Sequence, residues 1–438
     1  MKRILIAFPL LAGASGAASV AGTSQFAGSQ TKIYYDELLV DLNATFGWQF
    51  INERYDIGLT HSQAVTRVMG CDAVELFSLH HDISHAALSY THDGLALGSV
   101  NINTSLHEQQ VFSDEIMSIF GKADPFQLFT QVSFNGDIRN SLTINDIHYK
   151  NDDIQISWTG LTLQAVRNGR KVDGGGSLGS LVISEESTGS LVSTQASHFD
   201  FDLNHQGSWV YTGDSKLRIN GLTLVDRNLP APVVVGSVQF ASSSGISAAI
   251  IDGVVQMDVN SVHSPWAIDN AFVKWGFGGV KLEGLYQLTS ANTFSLASPG
   301  NVLSAMFEPG AFVKNTVSLA GGDGELNAGL KVGLKQDNVN AKALPTIATG
   351  RDLLDWLIFE ADFKADAPIM ANSPLAQLLG SGPLNDHFTV KNKLVSSTVE
   401  LDGTSLLVND AVLPLEFMSH GLLDAPLENV ATVMHANR

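Results

Sequence analysis

Along most of the chain, apolar residues alternate with polar ones in short runs, which is the pattern of half-buried β-strands. The runs begin near Tyr55, are rich in Val, Ile, Thr and aromatic residues, and are separated by Gly, Asn and Asp. We therefore predict a mainly β fold: one large, curved, mostly antiparallel sheet of meander and hairpin units. The clearest strand patterns span residues 76–83, 87–106, 129–144, 154–163, 208–225, 233–259, 271–288 and 394–408.

A few segments have helical spacing instead. Between Thr31 and Phe50 the apolar residues recur mostly at helical intervals, which predicts an N-terminal helix. Ser373 and Pro374 suit the N-cap and first turn of a helix, and Gly380 suits the position just past its end. Further short helices are predicted over residues 113–120, 302–307 and 352–359, with an amphipathic helix over residues 427–434.

A short sequence repeats within the β-rich region. Residues 158–163 read WTGLTL, residues 219–224 read INGLTL, and residues 282–285 give a looser copy, LEGL. In the first two copies the apolar positions change parity at the central glycine, Gly160 or Gly221. An extra residue in a strand, a β-bulge, produces this change and bends the strand. The repeat therefore predicts a curved sheet built from similar units.

The N-terminus has the features of an export signal. Lys2 and Arg3 precede an uncharged stretch, residues 4–22, which offers cleavage after Ala18 or Ala21. The stretch is also close to the roughly 20 residues that span a bilayer as a helix. A cleaved signal peptide and an uncleaved inner-membrane anchor both remain open, and both place the rest of the chain in the periplasm.

The chain is accordingly divided into four parts. Residues 1–22 form the signal peptide or anchor, and residues 23–52 form a helical segment. Residues 53–415 form an elongated β-rich domain, and residues 416–438 form a C-terminal tail with a short amphipathic helix.

The charge balance limits the partners. The chain has 44 acidic and 25 basic residues, for a net charge of −19. Nucleic acids and anionic membrane surfaces require a basic patch, so we expect no nucleic-acid partner and membrane association through the N-terminal segment only.

Cys71 is the only cysteine, so an intramolecular disulfide is excluded, and we expect Cys71 to behave as a small buried apolar residue.

A glycine-rich run matches two catalytic patterns. Residues 174–179 read GGGSLG and contain both G-x-G-x-x-G and, around Ser177, G-x-S-x-G. Both patterns require a strand before the run and a helix after it. Because both flanks are strand-like, we favour a hairpin connection with flexible glycines. A hydrolase that uses Ser177 is the less favoured alternative.

Ionisable residues cluster between positions 75 and 93: His80, His81, His85 and His92, with Glu75, Asp82 and Asp93. On a strand, His81 and His85 would share a face, but four residues of strand span roughly 13 Å. That spacing does not suit the three or four converging ligands of a zinc site. We expect ordinary hydrogen-bonded histidines, with neither a metal nor a cofactor.

Two pairs of adjacent carboxylates are candidate acid–base groups. Asp152 and Asp153, like Glu185 and Glu186, are consecutive, so on a strand they would point to opposite faces. They cannot jointly flank a scissile bond, and we interpret them as solvated loop acids.

Several short motifs, taken in order, resemble the YdgA family of Gram-negative envelope proteins. They are YDIGLTHS at 55–62, ISHAAL at 83–88, SFNGDIRNSL at 133–142, ISWTGL at 156–161, and LDG, LLVN and LPL between 401 and 415. The family pattern has Gly-Pro after the histidine, where this chain has Ala86 and Ala87. The resemblance runs from the N-terminus to about Leu415. It implies a periplasmic, inner-membrane-associated protein of mostly β-structure, and it supplies no catalytic residues.

Together these features favour a non-enzymatic periplasmic envelope protein. The apolar face of a curved antiparallel sheet can bind a lipid or another extended apolar ligand. The alternative is a structural scaffold that interacts with other envelope proteins, and a hydrolase is less favoured. Whether the apolar faces form an open groove or a closed core stays open, as does the oligomeric state.

Overall fold

The computed structural model describes most of the β-rich region and part of the N-terminal segment. The described residues are 49–58, 61–70, 74–85, 88–91, 94–97, 100–107, 125–133, 136–207, 210–264, 268–289, 299–336, 349–371, 388–403 and 405–415, with Lys32, Ile33, Tyr35, Asp36, Leu39 and Asn43. The chain divides into two compact units, residues 1–211 with 215–228, and residues 212–214 with 229–438.

The first unit is built almost entirely of strands. They are β1 (Gln49–Ile57), β2 (His61–Met69), β3 (Glu75–Ser84), β4 (Leu88–Thr91), β5 (Gly94–Leu97), β6 (Val100–His107), β7 (Phe126–Val132), β8 (Ile138–Ile144), β9 (Ile147–Lys150), β10 (Ile154–Trp158), β11 (Leu161–Asn168), β12 (Lys171–Leu178), β13 (Leu181–Glu185), β14 (Ser190–Gly207) and most of β15 (Val210–Val225). Lys32, Ile33, Tyr35, Asp36, Leu39 and Asn43 have helical backbone.

Among the residues that the structure describes, the second unit contains the remaining strands and four short helices. The strands are β16 (Val233–Ser247), β17 (Ile250–His263), β18 (Asn270–Lys281), β19 (Phe307–Gly321), β20 (Gly324–Leu334), β21 (Leu357–Asp366), β22 (Thr389–Lys391), β23 (Leu394–Asp402), β24 (Ser405–Val408) and β25 (Ala411–Pro414). The helices are α1 (Leu282–Thr289), α2 (Pro299–Met306), α3 (Gly350–Leu354) and α4 (Ala367–Ala371).

The predicted fold class is confirmed. Of the described strands, 23 belong to one antiparallel sheet, and β4 and β5 pair separately. In the first unit the ladder runs β1-β2-β3-β6-β7-β8-β11-β12-β14. In the second unit it runs β16-β17-β18-β19-β20-β21-β23-β24-β25. Sequential neighbours mostly pair with each other, as the meander pattern predicted.

The predicted bulge at Gly160 is wrong, because the pairing register does not shift there. Gly160 has φ +83° and separates β10 from β11, although Thr159 N still donates to Ser180 O on the next strand at 3.0 Å. Trp158 is opposite Leu181 and Ile147, and Leu161 is opposite Leu178 and Ile144, so no residue is inserted between them. Both side chains pack into the same core cluster because the strand breaks at Gly160. Gly221, with φ +54°, lies within β15, which continues to Val225.

The third copy of the repeat does not form a strand. Gly284 lies in α1, so the strand predicted over 271–288 ends at Lys281. A left-handed glycine does occur nearby, at Gly279 with φ +78°, where the pairing of β18 with β19 shifts register. The short LEGL match was too weak to distinguish a strand from a helical turn.

Two of the predicted short helices lie within the described residues of the second unit. The helix expected over 302–307 is confirmed as α2. The helix expected over 352–359 is wrong in its second half, because α3 ends at Leu354 and β21 begins at Leu357. A capping box between Thr349 and Asp352 starts α3, whereas residues 357–366 are held as a strand between β20 and β23.

The N-terminal helix expected over 31–50 is not confirmed as a whole, since Gln49 and Phe50 already belong to β1. The helices expected over 113–120, 373–380 and 427–434 lie outside the described residues. The same is true of residues 1–22 and 416–438.

The core of the first unit lies on one face of its sheet. Tyr35 and Leu39 from the helical residues pack with Phe50, Ala64 and other buried residues of β1 to β3. One cross-strand row of this face passes from His81 through Thr104, Leu128, Leu142, Leu163 and Gly176 to Phe199. The row shows that a buried polar segment and an aliphatic segment share one face.

Candidate functional site

One face of the sheet in the second unit carries apolar side chains in rows that cross β17 to β21. Directly paired residues of an antiparallel sheet share a face, so the pairing register defines the rows. They are Met257, Val273, Val317, Ala328 and Phe363; Val255, Trp275, Asn315, Leu330 and Ala361; and Phe277, Val313, Val332 and Phe359. We call this set of residues the apolar face.

The centre of the apolar face is partly exposed. Trp275, Val313 and Leu330 lie on the adjacent strands β18, β19 and β20, and retain 38%, 54% and 41% of their accessible surface. At the β20–β21 end, by contrast, Ile369 of α4 packs on Leu326, Ala328 and Phe363 in a buried cluster. One end of the face is therefore covered by the chain's own helix, while the centre remains accessible.

Asn315 is the only polar member of these rows. Its Oδ1 atom is buried and has no hydrogen-bond partner in the described structure, and Asn315 lies between Trp275 and Leu330 in register. An unpaired buried carbonyl lowers stability by roughly 1–3 kcal/mol. The residue therefore does not contribute to stability through hydrogen bonding, and the face is otherwise wholly apolar.

The glycine run of residues 174–179 lies mainly within β12, between β11 and β14. Phe201 and Phe199 are directly opposite Gly174 and Gly176, and a Cβ atom at Gly176 would lie 2.8 Å from Phe199 Cζ. The two rings pack onto the buried leucines of the first unit's core. The glycines therefore make room for the aromatic rings and for the backbone of β11, since Cβ atoms at Gly174 and Gly176 would also lie 2.5 Å from Gln164 O and 2.0 Å from Thr162 O. The hairpin connection is at Gly169 instead, so our placement of the run in the connection is wrong.

Ser177 lacks the geometry of a nucleophile elbow. It lies in a strand that is followed by β13, where the elbow requires a helix. Its Oγ atom is 2.8 Å from Thr162 Oγ1 on β11 at an exposed position. His198 is directly opposite Ser177 in register, but the serine's hydrogen bond is to Thr162.

His81 and His85 share the buried side of β3, as the strand pattern predicted. His81 is 3% exposed; its Nε2 atom is 2.8 Å from Thr66 Oγ1, and its Nδ1 atom is 2.9 Å from Thr104 Oγ1. Thr66 also contacts the Tyr35 hydroxyl. The sequence did not indicate these partners, because the two threonines come from the neighbouring strands β2 and β6.

Burial keeps both imidazoles neutral. Desolvation, with a smaller contribution from His80, lowers the pKa of His81 to about 3. Desolvation also lowers the pKa of His85, whose Nε2 atom is 2.8 Å from Ser62 Oγ. The Nδ1 atom of His85 is buried without a partner in the described structure. These histidines thus belong to a buried polar network in the core.

The other sequence candidates are dispersed. His61 forms a surface ion pair with Asp82, and Glu75 is bonded by Arg67 and Ser78. His92, Asp93 and Cys71 lie outside the described residues. Among the residues described, no group of three or more His, Cys, Asp or Glu side chains could hold a metal ion.

The paired acids lie at turns, as expected. Asp153 accepts a hydrogen bond from Ser187 N at 2.8 Å, and hydrogen bonds from Ser187 lower its pKa. Glu186 pairs with Lys150 at 3.3 Å. The two acids stabilise the connection between β13 and β14.

Comparison with known proteins identifies a family. The family described as "Bacterial protein of unknown function (DUF945)" matches residues 1–290. The chain belongs to this family. The DUF945 match covers β1 to β18 and α1, while β19 to β25 lie beyond it. No curated protein and no solved structure matches the chain.

Within the ranges described above, every helix is too short or too polar to span a bilayer.

Proposed function

We propose that this DUF945 protein is a non-enzymatic protein of the Gram-negative envelope that binds a lipid or another elongated apolar ligand. The binding surface is the apolar face of the second unit. The observation that carries this proposal is the partly exposed centre of the face, where Trp275, Val313 and Leu330 lie on three adjacent strands.

The dimensions of the face suit an extended ligand. Adjacent strands lie about 4.8 Å apart, so the five strands β17 to β21 span about 19 Å from first to last. Burying a methylene group contributes about 0.8 kcal/mol, so an acyl chain that buries six methylenes on this face gains about 5 kcal/mol. The face has no charged residue in these rows that would oppose such a ligand.

The N-terminal sequence supports a place in the envelope. A basic n-region, an uncharged stretch over residues 4–22 and small residues at its end favour export to the periplasm, either with cleavage or with retention as an inner-membrane anchor. The resemblance to the YdgA family, a finer assignment than DUF945, supports the same location. Membrane association is proposed through this segment only.

The proposal is tested by titrating the purified protein with a fluorescent long-chain fatty acid. The variant Val313→Glu places a charge at the most exposed position of the face, and we expect it to weaken binding at least tenfold, which corresponds to about 1.4 kcal/mol. The control Val182→Glu changes an exposed valine in the first unit and should bind like the parent. Equal binding by all three proteins, or no binding by the parent, would refute the proposal.

Native mass spectrometry of gently purified protein tests the same idea without a chosen probe. Co-purifying lipid that Val313→Glu lacks would support it. Lipid-free protein that crosslinks in cells to one dominant protein would instead favour the scaffold alternative. The N-terminal mass from the same sample distinguishes a cleaved signal peptide from an anchor.

A further inference from the structure

A groove of about 500 Å³ lies on the other face of the second unit's sheet, over β16 to β19. Its lining includes Gly245, Asp252, Lys274, Gly276, Phe312 and Lys314. Pairing places these residues on one face, because Gly245 is opposite Asp252 and Gly276 is opposite Lys314. The volume is within the range of small-molecule sites, about 300–1,000 Å³.

Two lysines of the groove lie close together without a carboxylate partner. Lys274 is opposite Thr316, and Lys314 is opposite Gly276, so the lysines are diagonal neighbours with Cβ atoms about 7 Å apart. Lys314 is also directly opposite Lys331 on β20, an arrangement of like charges that destabilises a sheet. Lys331 is neutralised by Glu360, at 3.3 Å. In the described structure, Lys274 and Lys314 form no ion pair or hydrogen bond.

All acidic residues on this face except Asp252 lie outside the groove lining, including Asp362, which is in the cross-strand row of Lys274. Asp252 Oδ1 accepts a hydrogen bond from Gly279 N at 2.8 Å, and Asp258 accepts one from Gln256 at 2.8 Å. Of the acidic residues, only Asp252 lines the groove, so the groove wall has two lysines and one aspartate. A local excess of positive charge is unexpected in a chain in which acids outnumber bases 44 to 25.

Two glycines of the groove, Gly245 and Gly276, are not explained by packing, unlike Gly253, where a Cβ atom would lie 2.6 Å from Phe277 Cζ. Gly245 and Gly276 lie inside strands without a positive φ. A Cβ atom at Gly245 would meet no atom within 4 Å, and one at Gly276 would meet only Gly253 O, at 4.0 Å. Glycine inside a strand weakens it and commonly marks a close approach by a ligand. These positions therefore differ from Gly174 and Gly176, where aromatic rings require glycine.

We propose that this groove binds a phosphate group, with Lys274 and Lys314 supplying the positive charge and Gly276 leaving room for the phosphate beside the backbone. Two ammonium groups match a phosphate monoester, which carries about −1.5 to −2 charge at neutral pH, and lysine is a common phosphate ligand. The exposed ring of Phe312 lies at one end of the groove and contacts the organic part. Lys274, Lys314 and Gly276 lie on the face opposite the apolar face, although Phe277 of the apolar face also lines the groove, so the phosphate site does not rest on the function proposed above.

The test is calorimetric titration of the purified full-length protein with phenyl phosphate, alongside sedimentation with vesicles that contain phosphatidic acid. Lys274→Gln and Lys314→Gln should each weaken binding at least tenfold, and added salt should weaken binding to the parent. Lys364→Gln is the matched control, because Lys364 is an exposed lysine of β21 outside the groove. It should bind like the parent.

Gly276→Ala separates binding from folding. The added methyl group enters open space and glycine weakens a strand, so the melting temperature should equal or exceed that of the parent, while phosphate binding weakens. Binding of phenyl phosphate indicates a soluble phosphorylated ligand. Lysine-dependent binding to the vesicles alone indicates a lipid headgroup. Either result supports the proposal. The proposal is overturned if the parent binds neither probe, or if Lys364→Gln weakens binding as much as the groove variants do.

Discussion

The buried imidazole of His81 makes the first unit less stable in mild acid. Its folded pKa, about 3, lies below the value of 6.5 for an exposed histidine. The contribution of His81 to the free energy of unfolding is therefore complete above pH 6.5. It is lost as the pH falls from there towards 3, because in this range only the unfolded chain takes up the proton. Between about pH 7.5 and about pH 4.5, linkage gives a loss of about 2.7 kcal/mol from this residue.

His81→Gln removes the titrating group and keeps a side chain that can bond Thr66 and Thr104. Urea unfolding of the parent and the variant, followed by circular dichroism at both pH values, gives the change in unfolding free energy with pH for each protein. Carboxylates titrate alike in both proteins, so their contribution cancels in the difference. We expect the variant's stability to fall by about 2.7 kcal/mol less than the parent's over this pH range.

Thr104→Val is the control, because it removes one hydrogen-bond partner of His81 and retains the imidazole. It should lower stability by about 1–3 kcal/mol at both pH values and keep the parent's pH dependence. If His81→Gln showed the same pH dependence as the parent, His81 would not be a neutral buried residue, and the core described for the first unit would be wrong there.

Four further substitutions test the packing arguments by urea unfolding. Gly176→Ala should cost at least about 1–3 kcal/mol because the methyl group would lie 2.0 Å from the backbone oxygen of Thr162 and 2.8 Å from the Phe199 ring; Gly322→Ala, which meets nothing within 4 Å, is its control. Gly160→Ala should cost at least about 1 kcal/mol, since φ is +83° there. Leu142→Ala should cost about 2–5 kcal/mol, because Leu142 is fully buried. Asn315→Leu should stabilise the second unit by about 1 kcal/mol by removing an unpaired oxygen; a loss of stability would contradict that assignment.

Features that depend on near neighbours in sequence could be predicted. Alternation of apolar and polar residues located most strands, and it placed His81 and His85 on one face, because side-chain direction in a strand repeats every two residues. The change of parity at Gly160 located a break between two strands, but the bulge inferred from it is wrong, because the pairing register is the same on both sides of the break. The same local pattern misread residues 357–359 as helix, because pairing with β20 outweighs local spacing.

Features that depend on the pairing register required the tertiary structure. In the sequence, Gly174 and Gly176 match the pattern of a phosphate loop or a nucleophile elbow. The structure gives a different reason for them, because Phe201 and Phe199, some 25 residues away, lie opposite them. The network around His81 and the meeting of Lys274 with Lys314 likewise join different strands. Sequence alone therefore determined that this protein is an antiparallel β protein and where most of its strands lie. Register decided which side chains meet, since cross-strand neighbours are set by the cooperative pairing of the whole sheet.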